Sequence, residues 1–121
     1  MFLEEMALGS FCQVLADDDG RVFGYVVARL QLDEWHLMTV GVAHGVRRRG
    51  YGADLVAGVV NHARASFSRG VLLEVRSSNN SALALYKKIG FLTLYFRENY
   101  YKAPPIAEGA VVMELRIIDK K

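Results

Sequence analysis

Cysteine is almost absent from this 121-residue chain, with Cys12 the only one. An intramolecular disulfide framework is excluded, and so is a metal site built on thiolates. Cys12 itself is expected to be a small core residue. Proline is nearly as scarce, with two, adjacent at Pro104-Pro105. No proline-rich linker, low-complexity tract or internal repeat divides the chain, so one domain over residues 1–121 is expected. His36, His44 and His62 are scattered without ligand spacing, and no metal is expected. No apolar run reaches membrane-spanning length, and Met1-Phe2-Leu3-Glu4-Glu5 is acidic where a signal peptide is basic. The expectation is a cytoplasmic protein with no membrane partner. A strong excess of one charge is also lacking, the net charge being +2. The basic residues form no stripe or tail, which argues against a nucleic-acid partner.

What is present is a core's worth of apolar residues and one basic cluster. Hydrophobic residues make up 52% of the chain, enough to bury and too many for disorder. The cluster is Val-Arg-Arg-Arg-Gly-Tyr-Gly-Ala at residues 46–53, between a β-like run and a helical run. A glycine-rich turn that opens a helix points free N–H groups outward, and the macrodipole favours an anion there. Gly50 and Gly52 remove Cβ atoms that would hold a phosphate off the backbone. Arg47, Arg48 and Arg49 add donors that match phosphate geometry. The spacing is Arg47-x-x-Gly50-x-Gly52, neither a P-loop nor the dinucleotide fingerprint. It reads as a pyrophosphate cradle, against the alternative of a plain solvated turn.

Periodicity places the elements around it. Residues 1–8 read as the tail of a helix ending at Gly9. Residues 11–16 read as a strand, and Asp17-Asp18-Asp19-Gly20 as a hairpin turn. Residues 21–32 form the return strand, with Gly24 as a bulge position, and residues 35–42 form a third strand. Leu55, Val56, Val59, Val60 and Ala63, with Phe67 near the same face, have helical spacing. Val71 to Arg76 is a short apolar strand of the kind buried on both faces. Strand, helix and strand here make a right-handed βαβ unit. Asn79 opens a second helix, through Ala82, Leu83, Leu85, Tyr86 and Ile89, which Gly90 stops. Residues 91–101 and 109–118 are the last strands. The fold class is α/β (α+β), a mixed sheet with flanking helices in the order β-β-β-α-β-α-β-β.

Four segments together resemble the GNAT N-acetyltransferase superfamily, and within it the RimI-type ribosomal-protein alanine N-acetyltransferases. Val40-Gly41-Val42 with Arg47-x-x-Gly50-x-Gly52 resembles the superfamily's acetyl-CoA pyrophosphate motif. Leu73-Glu74-Val75-Arg76-Ser77-Ser78-Asn79 resembles the RimI-type strand and turn. Ala82-Leu83-Ala84-Leu85-Tyr86-Lys87-Lys88-Ile89-Gly90-Phe91 resembles the helix ending in "ALYxxxGF". Asn99-Tyr100-Tyr101 and Val111 to Leu115 resemble the last two strands. Relative to the family pattern the first strand and first helices are missing, which leaves residues 11–16 with an unpaired edge. A homodimer through that edge is the expectation.

The resemblance implies an acetyl-CoA-dependent N-acetyltransferase, most simply one acting on a protein or peptide N-terminus. The alternatives are a small-molecule amine acetyltransferase and a non-catalytic acyl-CoA-binding module. It assigns coenzyme A to Arg47, Arg48, Arg49, Gly50, Tyr51, Gly52 and Ala53. The backbone of Val40, Gly41 and Val42 is to pair with the pantetheine arm, with Val42 N–H as oxyanion donor. Glu74 is the candidate general base, since a carboxylate in an apolar strand is costly to bury. Its structural alternative is an exposed residue or an ion pair with Arg76. Tyr86, twelve positions on, is implied as the acid for the coenzyme A thiolate, by proton transfer or by a hydrogen bond alone. Asn79 is a helix N-cap that the family also uses on coenzyme A. Arg64 and Arg69 reach the 3′-phosphate or are solvated surface charge. Tyr100 and Tyr101 are implied as a wall of the peptide groove.

Overall fold

Alternation of apolar and polar residues in the strands is resolved into one twisted sheet with its helices on a single face. The computed structural model describes residues 2–5, 9–47, 49–101 and 108–117, and of residues 2–5 and 99–101 it gives the backbone course. Four strands come first: β1 (Phe2–Glu5), β2 (Ser10–Ala16), β3 (Val22–Gln31) and β4 (Glu34–Val42). Helix α1 (Tyr51–Ala65), β5 (Gly70–Arg76), α2 (Asn80–Ile89), β6 (Leu92–Tyr101) and β7 (Glu108–Arg116) follow. The sheet order is β1-β2-β3-β4-β5-β7-β6. Among the described strands only β4 and β5 run parallel, and α1 is the crossover between them.

Turn chemistry sets the hairpins. Asp17 Oδ1 accepts from the N–H of Asp19 and of Arg21, both at 2.9 Å, and Gly20 supplies a φ of +83°. At the next turn Leu32 itself takes a φ of +59° and stands almost fully exposed. From residue 11 onward the element order is the expected one. The N-terminus is a correction: residues 2–5 are a strand, paired antiparallel from Phe2↔Leu15 to Glu5↔Cys12, rather than a helix tail. Residues 11–16 are therefore covered on that side. The unpaired edge that motivated a homodimer is absent, and with it the reason for the dimer.

The core lies between the sheet and the two helices. Leu55, Val56, Val59, Val60 and Ala63 are the buried stripe of α1, as their spacing predicts. They meet Phe11, Leu15, Val26, Trp35, Leu73 and Met113 from alternate strand positions. Phe67 departs from the expectation: α1 ends at Ala65, and Phe67 sits at φ +56° with 83% of its surface exposed. Cys12 is half-buried on the opposite sheet face from Phe11 and Gln13, rather than in the core. The bulge expected at Gly24 falls beside it, since Leu15 pairs with Gly24 but Ala16 with Val22. Gly24 itself gives close approach, because a Cβ there meets Leu55 Cδ1 at 3.3 Å.

One feature of the sheet shapes the site. β4 and β5 pair at only three positions, Glu34↔Gly70, Trp35↔Val71 and His36↔Leu72. Beyond them β4 continues along β3 to Val42, while β5 continues along β7 to Arg76. Val27 pairs with Thr39 and Ala28 with Leu37, so Met38 is an extra residue in β4. A bulge bends its strand and deepens the local twist. The two parallel strands part just where this bulge falls.

Candidate active site

The parting strands open a cavity of about 480 Å³. Gln31, His36 and Met38 reach it from β3 and β4, and Leu72 and Glu74 from β5. Tyr95 and Arg97 of β6 and Val112 of β7 complete that side. Among the described residues helices cover β5 on one face alone, so Leu73 and Val75 are buried while Glu74 turns to the cavity with its side chain 34% exposed. This corrects the expectation of a strand buried on both faces. Arg97 Nη1 lies 3.2 Å from Glu74 Oε2. The expected Glu74–Arg76 alternative is replaced by this pair; Arg76 bonds Glu108 at 3.4 Å instead. Burial holds the His36 imidazole below its ordinary pKa, and the Glu74 charge partly opposes that.

At the far end of β4 the chain turns into α1. Val40, Gly41 and Val42 pair with Val26, Tyr25 and Gly24 on one side. No β5 residue pairs with them on the other. The bare backbone of Gly41 makes room for a neighbour, since a Cβ there meets the Tyr25 ring at 2.6 Å. Arg47 Nε donates to Val42 O at 3.1 Å, tying the loop to the strand end. Gly50 is the α1 N-cap with a φ of +84°, which an L side chain strains to adopt. Among the described residues no side chain caps this helix end. The N–H groups of Tyr51, Gly52 and Ala53 precede the first helical bond, from Asp54 N to Gly50 O at 3.0 Å. Among the described residues a Cβ at Gly50 meets nothing within 4 Å, and one at Gly52 only Leu85 Cδ2 at 3.8 Å. Tyr51 is fixed by an edge contact to Phe23, ring centres 4.8 Å apart. Arg49 is exposed, and Arg48 lies outside the described residues. Open space, uncapped donors and an unpaired strand edge fit a ligand with a diphosphate and an amide-bearing arm.

The remaining candidates separate. Asn79 is an N-cap, its Oδ1 accepting from Ala82 N at 3.2 Å. Tyr86 is buried beneath α2, its ring edge-on to Phe91 at 5.6 Å, and burial raises its pKa. It does not line the cavity that holds Glu74. Arg69 pairs with Glu114 at 3.9 Å, and Arg64 is exposed. The backbone of Tyr100 and Tyr101 belongs to β6; their side chains lie outside the described residues. Sequence reasoning missed His36 and Arg97. His36 shares the alternate face of β4 that leads to the cavity, a signal legible once β4 was placed. Arg97 had none, because it reaches Glu74 only through the order β5-β7-β6.

The sequence profile of the Acetyltransferase (GNAT) family matches residues 2–91. A [ribosomal protein bS18]-alanine N-acetyltransferase of Salmonella typhimurium is 35% identical over 102 residues, covering 82% of this chain and 67% of the relative. An N-alpha-acetyltransferase RimI of Mycobacterium tuberculosis is 33% identical over 105 residues, covering 84% and 65%. The chain thus spans about two thirds of the length of these relatives. The crystal structure of the ribosomal-protein-S18-alanine N-acetyltransferase from Escherichia coli superposes with a TM-score of 0.87 at 28% identity, over 96% of this chain and 74% of that one. The fold is also that of a putative streptothricin acetyltransferase from Bacillus anthracis in complex with acetyl coenzyme A, with a TM-score of 0.82 at 21% identity, over 90% and 63%. With the family profile matching residues 2–91 and a relative 35% identical over 82% of the chain, the chain belongs to the GNAT family of acetyl-CoA-dependent N-acetyltransferases.

Proposed function

We propose that the chain moves an acetyl group from acetyl-CoA to the α-amino group of a protein N-terminus. The observation that carries this reading is Glu74, held by Arg97 in a cavity at the point where β4 and β5 part. Likeness to N-terminal alanine acetyltransferases over most of the chain supports it. Fold alone does not choose the acceptor.

Bound acetyl-CoA supplies an activated acetyl thioester. The uncapped N–H groups of Tyr51, Gly52 and Ala53 hold its diphosphate, with Arg49 adding charge. Arg47 contributes by fixing the loop. The edge of Val40, Gly41 and Val42 pairs with its amides, and Val42 N–H is the oxyanion donor. Asn79 keeps its N-cap role and borders coenzyme A. Glu74 is the base of the site, its charge drawing the proton from the attacking amine directly or through an intermediary. An α-amine, with a pKa near 7.7–8.0 against about 10.4 for lysine, is partly neutral already at neutral pH. A modest base is enough for it. Tyr86, a weaker acid than free phenol because it is buried, steadies the departing sulfur by a hydrogen bond. Tyr100 and Tyr101 border the peptide.

Single-turnover reactions with free-N-terminus peptides, with polyamines and without acceptor test the reading. Acetyl on the α-amine of the peptides, and little on the polyamines, is expected. Transfer to polyamines alone points to a small-molecule enzyme, and coenzyme A binding without any transfer to a binding module.

A further inference from the structure

We propose that His36 is the proton acceptor for the attacking amine, acting as a pair with Glu74 across the cavity. The inference rests on the reading of this cavity as the acceptor site and adds a residue to it. His36 is the last β4 residue paired with β5, opposite Leu72. Glu74 stands two residues further along β5, on the same face of the sheet. Both line the cavity, and their charges interact. Arg97 fixes the Glu74 carboxylate from the other side at 3.2 Å. The bulge at Met38 falls just past His36, where β4 and β5 cease to pair and the cavity opens.

Imidazole, ordinarily near 6.5, is a base of suitable strength for an α-ammonium near 7.7–8.0. A base works best when its pKa approaches the working pH. Burial favours the neutral form of His36, the form that accepts a proton. The Glu74 charge then favours the imidazolium that forms. The titratable and charged groups on this face include Tyr25 and Arg29 of β3, Glu34 of β4 itself, Glu74 and Arg76 of β5, Glu108, Glu114 and Arg116 of β7, and Tyr95 and Arg97 of β6. In the transfer, the amine lone pair forms the C–N bond and the C–S bond breaks with its pair on sulfur. The proton lost from nitrogen passes to His36 and then to water, and the thiolate takes one from water.

Two measurements test this. The first is the pH dependence of kcat, with peptide saturating, for wild type and His36→Gln. A fall of about 10²-fold or more is expected, with loss of the acid limb in the imidazole range. Unchanged kcat overturns the proposal. So does a lower kcat that keeps this limb, the pattern of a residue that only shapes the cavity. The second is NMR titration of the His36 ring without ligand, in wild type and Glu74→Gln. The ring is expected to titrate below the ordinary imidazole value, and lower still in Glu74→Gln. A titration indifferent to Glu74→Gln overturns the pairing. If wild type acetylates no amine at all, the acetyl-transfer reading fails by itself, and the NMR result still decides the pair.

Discussion

Glu74 was legible from the sequence because a carboxylate in Val-Leu-Leu-Glu-Val breaks an apolar run. Its setting was not legible, because the partner Arg97 lies two strands away in the sheet. Glu74→Gln is expected to slow acetyl transfer by about 10²–10⁴-fold while coenzyme A still binds. Rapid-mix kinetics beside calorimetry check both halves, and an unchanged rate removes Glu74 from the chemistry. Tyr86 carries a narrower expectation. Tyr86→Phe keeps the ring that packs on Phe91, so stability changes little. Loss of a hydrogen bond to a charged sulfur, about 1.5–3 kcal/mol, corresponds to roughly ten- to hundred-fold slower thiol release. Thiol release at the wild-type rate leaves Tyr86 as packing only.

At the scale of elements, α1 was the most legible part of the chain. Its buried stripe, Leu55 to Ala63, repeats at helical spacing, and the structure buries those same five residues. Leu55→Ala is expected to cost about 2–5 kcal/mol in denaturant unfolding, since Leu55 is fully buried under Gly24. A cost below 1 kcal/mol, roughly a surface substitution, means that the helix does not pack there. Strand β1 was the least legible. Phe2-Leu3-Glu4-Glu5 has no alternation, and pairing with β2 decides its conformation, not its own residues. Phe67 failed for a related reason. Its position fits the helical stripe, but the helix stops at Ala65 and the chain turns to reach β5. The bulge at Met38 and the parting of β4 from β5 left no mark in the sequence either, because strand register is set by neighbours far along the chain.

At the scale of the whole molecule, the closed end of the cleft adds a pH dependence. Glu34, at the first β4–β5 pair, is pushed up to about 7 by burial, then by the hydrogen bond and repulsion from Glu114. Glu114 is held low, first by the hydrogen bond from Glu34 and then by Arg116 and Arg69. The two thus share a proton that sits on Glu34. Below a pH of about 4.5 folded and unfolded chains both hold the Glu34 proton; between there and about 7 only the folded chain keeps it. The Glu34 contribution to stability is therefore lost as pH rises through that window. The Glu114 contribution has the opposite sign and is lost at acid pH. Glu34→Gln keeps a donor for Glu114 and cannot ionise. It is expected to melt higher than wild type above pH 7 and close to it near the ordinary carboxylate range. Parallel melting curves across that window mean that no proton is shared. The central claim, a diphosphate resting on main-chain amides at the start of α1, is most directly tested by titrating coenzyme A into the labelled protein and following backbone amide NMR signals. The account predicts the largest shifts at Gly50, Tyr51, Gly52 and Ala53, with smaller ones along Val40 to Val42. Saturable binding that leaves these amides unmoved, or no binding, contradicts it.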